Sequence, residues 1–96
     1  MWGRNIPFPF FLYAMYITYI LFSEKLNKYY TGQTNDLVKR IEEHNRGKTP
    51  FMEKGKPWTI IFSKDHKLRS EAIKLETFIK KRGAKRYLKD IEGEAG

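Results

Sequence analysis

Residues 16–33 read YITYILFSEKLNKYYTGQ, and this stretch decides the fold. The run from Tyr16 to Phe22 is dense in β-branched and aromatic residues, and a second such run, KYYTGQ, begins at Lys28 after a polar connection. Two strands joined by a short polar break make a hairpin. A register that sets Tyr19 opposite Tyr30 closes a four-residue loop over residues 23–26. Because side chains alternate between the faces of a strand, both tyrosines then share one face.

Downstream of the hairpin, Asn35 reads as an N-cap with Asp36 in the first turn, where the helix dipole favours negative charge. Leu37, Val38 and Ile41 carry a helix to about Asn45, and Gly47 stops it. The segment RGKTPFMEKGKP over 46–57 is rich in Gly, Pro and Lys without a sustained period, so it reads as a loop lying close to the ligand. WTIIFS over 58–63 is a third strand. Ser70 caps a second helix with Glu71 in its first turn, and Ala72, Ile73, Leu75, Phe78 and Ile79 recur at helical spacing until Gly83. A short basic helix from Ala84 to about Ile91 closes the domain, which spans 15–92, and residues 93–96 form a frayed tail. The fold class expected is α+β, a three-stranded antiparallel sheet flanked by helices in the order ββαβαα.

Upstream, Met1 to Phe22 is apolar enough to resemble a membrane segment, but Pro7 and Pro9 interrupt it and Tyr13, Tyr16, Thr18 and Tyr19 occupy its centre. Residues 1–14 are therefore read as an N-terminal extension outside the domain, and no stable membrane association is expected. A chain of 96 residues builds one compact core and is too short for two. Its formal charge of +8 predicts attraction to a polyanion, with nucleic acid the first candidate and an anionic membrane surface the second. Without cysteine there is no disulfide, thiolate catalysis or Cys-type zinc site, and a cytoplasmic location fits.

Several side chains qualify for chemistry. Glu76 sits in the apolar stripe among Ala72, Ile73 and Ile79, so it either pairs with Lys80 one turn on or faces inward for a purpose such as holding a metal ion. Arg40 and His44 are also one turn apart, and a guanidinium beside an imidazole can contact a phosphodiester, although Glu42 and Glu43 offer Arg40 local partners. Tyr19 and Tyr30 are each as well suited to packing as to orienting a phosphate. The cluster Lys80, Lys81, Arg82, Lys85, Arg86 and Lys89 is the candidate for backbone phosphate contacts, or else a solubilising face.

Together TYIL, KYYTGQTNDLVKRIEEHNRGK, GKPW and RSEAIKLETFIKK resemble the GIY-YIG nuclease superfamily, in particular its small single-domain branch, over about Met15 to Ile91. Ile17-Thr18-Tyr19 stands where the family has Gly-Ile-Tyr, and Tyr30-Thr31-Gly32 where it has Tyr-Ile-Gly. The spacing from the second motif to Arg40 is similar to that of excision-repair incision nucleases and of structure-selective nucleases for branched DNA.

The resemblance implies a metal-dependent DNA endonuclease acting in repair or recombination. Tyr19 and Tyr30 would flank the scissile phosphate, one of them helping to deprotonate the attacking water. Arg40 would neutralise charge on the phosphate, His44 would orient or deprotonate the nucleophile, and Glu76 would hold a single Mg²⁺ or Mn²⁺. Two departures stand out. No Asn follows Asn45, whereas many relatives place one about three turns after the metal-binding Glu, and Gln33 occupies a position where some relatives carry a Lys near the phosphate. They keep open a second reading, a nucleic-acid-binding accessory module without useful catalysis. Branched, flapped or single-stranded DNA is the expected substrate, and with no second domain to read it, a protein partner is a candidate source of specificity.

Overall fold

The run YITYILF is apolar almost throughout because it becomes the middle strand, covered on both faces. In the computed structural model, which describes residues 15–95, β1 (Tyr16–Ser23) pairs antiparallel with β2 (Lys28–Thr34) on one side and β3 (Trp58–His66) on the other. Four helices accompany this sheet: α1 (Leu37–Asn45), α2 (Pro50–Gly55), α3 (Arg69–Arg82) and α4 (Ala84–Ala95). The architecture is the expected three-stranded antiparallel sheet flanked by helices. The extension expected over 1–14 lies outside the described residues.

Several local expectations are corrected. In the hairpin, Tyr19 stands opposite Gly32 and Tyr30 opposite Leu21, a displacement of two residues from the register read in the sequence. The turn selects this register. Ser23 Oγ accepts from the Leu26 N–H at 3.1 Å, and Asn27 takes a φ of 53°, a left-handed conformation that Asn tolerates better than most residues. An even displacement keeps side chains on their original faces, so the two tyrosines still share one.

The cap of α1 is Asp36, not Asn35: its Oδ1 accepts from the Lys39 N–H at 3.1 Å, while Thr34 Oγ1 accepts from the Asp36 N–H at 3.0 Å. The segment read as a loop contains α2. Thr49 caps it, accepting from the Met52 N–H at 3.2 Å, and Pro50 occupies the first turn, where a missing N–H costs nothing. β3 continues to His66, three residues beyond the expected Ser63. α3 begins at Arg69, with Leu68 rather than Ser70 at the N-cap position and the Glu71 carboxylate accepting from the Leu68 N–H at 3.4 Å. Gly83, with φ of 92°, separates α3 from α4, which runs to Ala95 and so takes up part of the expected tail.

Alternation along β1 assigns the layers. Tyr19 and Leu21 pack with Trp58 in a buried cluster against which Ile17, Tyr30, Leu37 and Ile41 lie, so α1 covers this face. The alternate face belongs to α3: buried Thr18 donates from Oγ1 to the Ala72 carbonyl at 2.9 Å and lies 3.0 Å from His66 Nε2. Ile20, Ala72 and Ile79 are completely buried, and Phe62 and Phe78 meet Tyr87 of α4 edge to face. Among the described residues, no helix is long and apolar enough to cross a membrane.

Candidate active site

Three rings from three elements converge above β2. Tyr19 of β1 and Tyr30 of β2 stack with centroids 6.4 Å apart, and the His44 ring of α1 stands edge-on to Tyr30 at 4.5 Å and to Tyr19 at 6.3 Å. Trp58 closes the group, 6.4 Å from Tyr30 and 6.3 Å from His44. The Tyr19 phenol crosses the neighbouring strand at Gly32, where a Cβ would lie 2.5 Å from its Oη. Glycine is thus required beside the second tyrosine because the first tyrosine occupies the space of any side chain there.

The polar atoms of this group are buried without hydrogen-bond partners. Tyr19 and His44 are each 1% exposed, and Tyr19 Oη, His44 Nδ1 and His44 Nε2 are all unpaired. Orphaned buried polar atoms are uncommon and costly, and here three lie in one cluster. Burial, with the charge of Tyr30 adding to it, pushes the Tyr19 phenol up to about 12, while the Arg40 guanidinium pulls it back both by its charge and by its approach to the phenol oxygen, short of a well-formed hydrogen bond. Burial and then Arg40 push His44 below the ordinary histidine value, with Glu43 opposing. At neutral pH the site therefore holds a protonated phenol and a neutral imidazole.

Arg40 projects beside these groups, 3.3 Å from Glu43, and with Tyr30, Glu43, His44, Lys48 and Met52 it lines a cleft of about 230 Å³. Glu76 reaches the same region from α3, near enough that its charge also raises the Tyr19 phenol. Of the two alternatives for Glu76, the pairing with Lys80 is present: its Oε2 accepts from Lys80 Nζ at 2.8 Å, with the carboxylate side chain 19% exposed.

The remaining basic residues divide. Arg82 is engaged in a two-pronged pair with Asp90, at 2.7 and 2.9 Å, whereas Lys81, Lys85, Arg86 and Lys89 are exposed and have no ion pair among the described residues. Gln33 stands across from Thr18, on the face opposite Tyr19, with its Oε1 buried and unpaired.

The frame of the site has no single-residue signature in the sequence. Asn45 clamps α1 to the start of β3, accepting from the Trp58 N–H at 2.6 Å and donating to the Trp58 carbonyl at 3.2 Å. Trp58 Nε1 donates to the Met52 carbonyl at 3.0 Å, which ties down α2, and the indole occupies the space a Cβ on Gly55 would need. The sequence signal was the His-Asn pair at the end of a helix, followed by Gly-Lys-Pro-Trp. The resemblance carried it, but no local rule assigns it a role.

A ββαβαα-type layer that groups two hairpin tyrosines with a helical Arg-His pair and a carboxylate defines a class. The chain belongs to the GIY-YIG catalytic domain family, which it matches over residues 15–88. It is 38% identical over 58 residues to the UPF0213 protein YazA of Bacillus subtilis (strain 168), covering 59% of this chain and 59% of that protein. To the UPF0213 protein lin0209 of Listeria innocua serovar 6a it is 36% identical over 73 residues, 72% of this chain and 81% of the relative. A UPF0213 protein of Cronobacter sakazakii is 36% identical over 69 residues, 71% of this chain and 73% of the relative. The chain thus spans less than two thirds of YazA. No solved structure matches it.

Proposed function

We propose that this chain is a DNA endonuclease that hydrolyses phosphodiester bonds with one divalent ion, serving DNA repair or recombination in the cytoplasm. The observation that carries the reading is the set of three buried polar atoms without partners, Tyr19 Oη and the two His44 nitrogens, beside Arg40 and Glu76. A packing core would have satisfied or replaced them.

Each residue has a role its environment supports. Arg40 is half-exposed and neutralises charge building on the phosphate oxygens. Neutral His44 accepts a proton from the attacking water or orients it. Tyr19, protonated at neutral pH, donates to a phosphate oxygen, and Tyr30 holds the imidazole edge-on. Among the described residues, no three His, Cys, Asp or Glu side chains form a ready-made metal site. Among the candidate site residues the one anionic oxygen donor is the Glu76 carboxylate, and a single hard oxygen ligand completed by waters fits Mg²⁺ or Mn²⁺. Glu76 would hold the ion, whose chemistry is to polarise the phosphoryl group and stabilise the leaving oxygen. Lys81, Lys85, Arg86 and Lys89 supply sequence-independent grip on the backbone.

A second reading, a DNA-binding module that does not cut, is favoured by one observation, the occupation of Glu76 by Lys80. Cleavage of supercoiled plasmid and of a branched DNA with Mg²⁺ or Mn²⁺, beside Glu76→Ala and an EDTA control, decides between them. Cutting by wild type, with Glu76→Ala binding equally and losing at least about a hundredfold in rate, supports the nuclease. Binding by both and cutting by neither makes the module the correct reading.

A further inference from the structure

The Glu76–Lys80 contact has a direction built into it. The Glu76 side chain is 19% exposed and that of Lys80 58%, so the carboxylate is the more enclosed partner and the ammonium is the one able to leave. Lys80 also lines a cleft of about 400 Å³ with Tyr29, Tyr30, Thr31, Phe51 and Ala84, immediately beside the tyrosine pair. A lysine carries a compact charge on a flexible four-carbon stem, and one such stem reaches either of two anions on neighbouring sides of its helix.

We infer that Lys80 is a resident counter-ion for Glu76: it occupies the carboxylate while the cleft is empty and passes to a DNA phosphate when substrate enters, releasing Oε2 for the metal ion. This rests on the nuclease reading above. An ammonium and a divalent ion compete for the same oxygen, since Lys80 Nζ stands 2.8 Å from Oε2. Without the lysine, a carboxylate four-fifths buried would be an uncompensated charge. With it, the DNA-free protein suppresses metal capture. Binding free energies are reciprocal, so whatever factor DNA adds to metal affinity, the metal adds to DNA affinity. Lys80 is thus a positioning residue acting through Glu76.

The test is Mn²⁺ titration of the DNA-free protein, followed by electron paramagnetic resonance, for wild type, Lys80→Gln, Glu76→Gln and the double variant. Lys80 is exposed and Gln matches Glu in size, so each variant is expected to fold, and a circular dichroism melt checks it. Lys80→Gln is expected to bind Mn²⁺ about fivefold more tightly than wild type, a gain lost in the double variant. In parallel, metal-free binding of a labelled oligonucleotide should show a salt slope shallower by about 0.7 to 0.9 in Lys80→Gln, the loss of one phosphate contact. Equal Mn²⁺ affinity in wild type and Lys80→Gln, or no measurable binding by either, overturns the inference and leaves the nuclease reading to its cleavage assay. Mn²⁺ binding that survives Glu76→Gln overturns both.

Discussion

Tyr19 is placed by a glycine it does not neighbour in sequence, and its buried hydroxyl has only the approach of Arg40 beside it. Adding a methyl at Gly32 forces the phenol to move, so Gly32→Ala should cost about 1–3 kcal/mol in denaturant unfolding, as overpacked sites do. Tyr19→Phe removes an unpaired buried hydroxyl, so it should hold or raise stability by up to about 1 kcal/mol in the same assay while DNA cutting falls. A loss of stability in Tyr19→Phe would show that its hydroxyl is satisfied and structural. His44 gives a pH signature. Its folded pKa is depressed, so the unfolded state binds the proton more readily, and stability is lost as pH falls through the ordinary value of about 6.5 toward the folded one. Melting temperatures at pH 8 and pH 5.5 should therefore differ more for wild type than for His44→Phe.

Among the elements, the junction of α1, α2 and β3 is held by Asn45 and by the Trp58 indole. Asn45 satisfies both backbone groups of Trp58, so Asn45→Ala leaves two buried polar groups short of partners and should destabilise by about 1–3 kcal/mol. Tryptophan fluorescence along a urea series reads this where it acts, because Trp58 is the buried tryptophan of the cluster. The α3–α4 corner differs. There Arg82 and Asp90 meet on the surface across Gly83, so Arg82 joins the two helices. This is why the basic run, continuous as a string of letters, divides in space.

For the whole molecule, a formal charge of +8 makes any affinity for the proposed DNA substrate a function of salt. Replacing Lys85, Arg86 and Lys89 together with Gln should flatten the log-affinity against log-salt slope by about 2 to 3, at roughly 0.7 to 0.9 per phosphate contact. Fluorescence anisotropy over a KCl series with the Glu76→Ala protein reads it without cleavage, and an unchanged slope would reduce the α4 face to a solubilising one.

What the sequence determined by itself is whatever neighbouring residues decide among themselves. Alternation and β-branching set the strands, three-to-four spacing set the long helices, and Gly47 and Gly83 set where helices end. The resemblance then placed Tyr19, Tyr30, Arg40, His44 and Glu76 in one family pattern. Only the tertiary structure decided the hairpin register, since two registers two residues apart bury the same faces and the turn geometry chooses between them. It alone brought Asn45 to Trp58 and buried Tyr19 Oη and the His44 ring without partners, because desolvation comes from segments far apart in sequence packing together. And it alone gave Glu76 two neighbours at once, the phenol of Tyr19 and the ammonium of Lys80: helical spacing names the second, but only the packing of α3 on the sheet supplies the first.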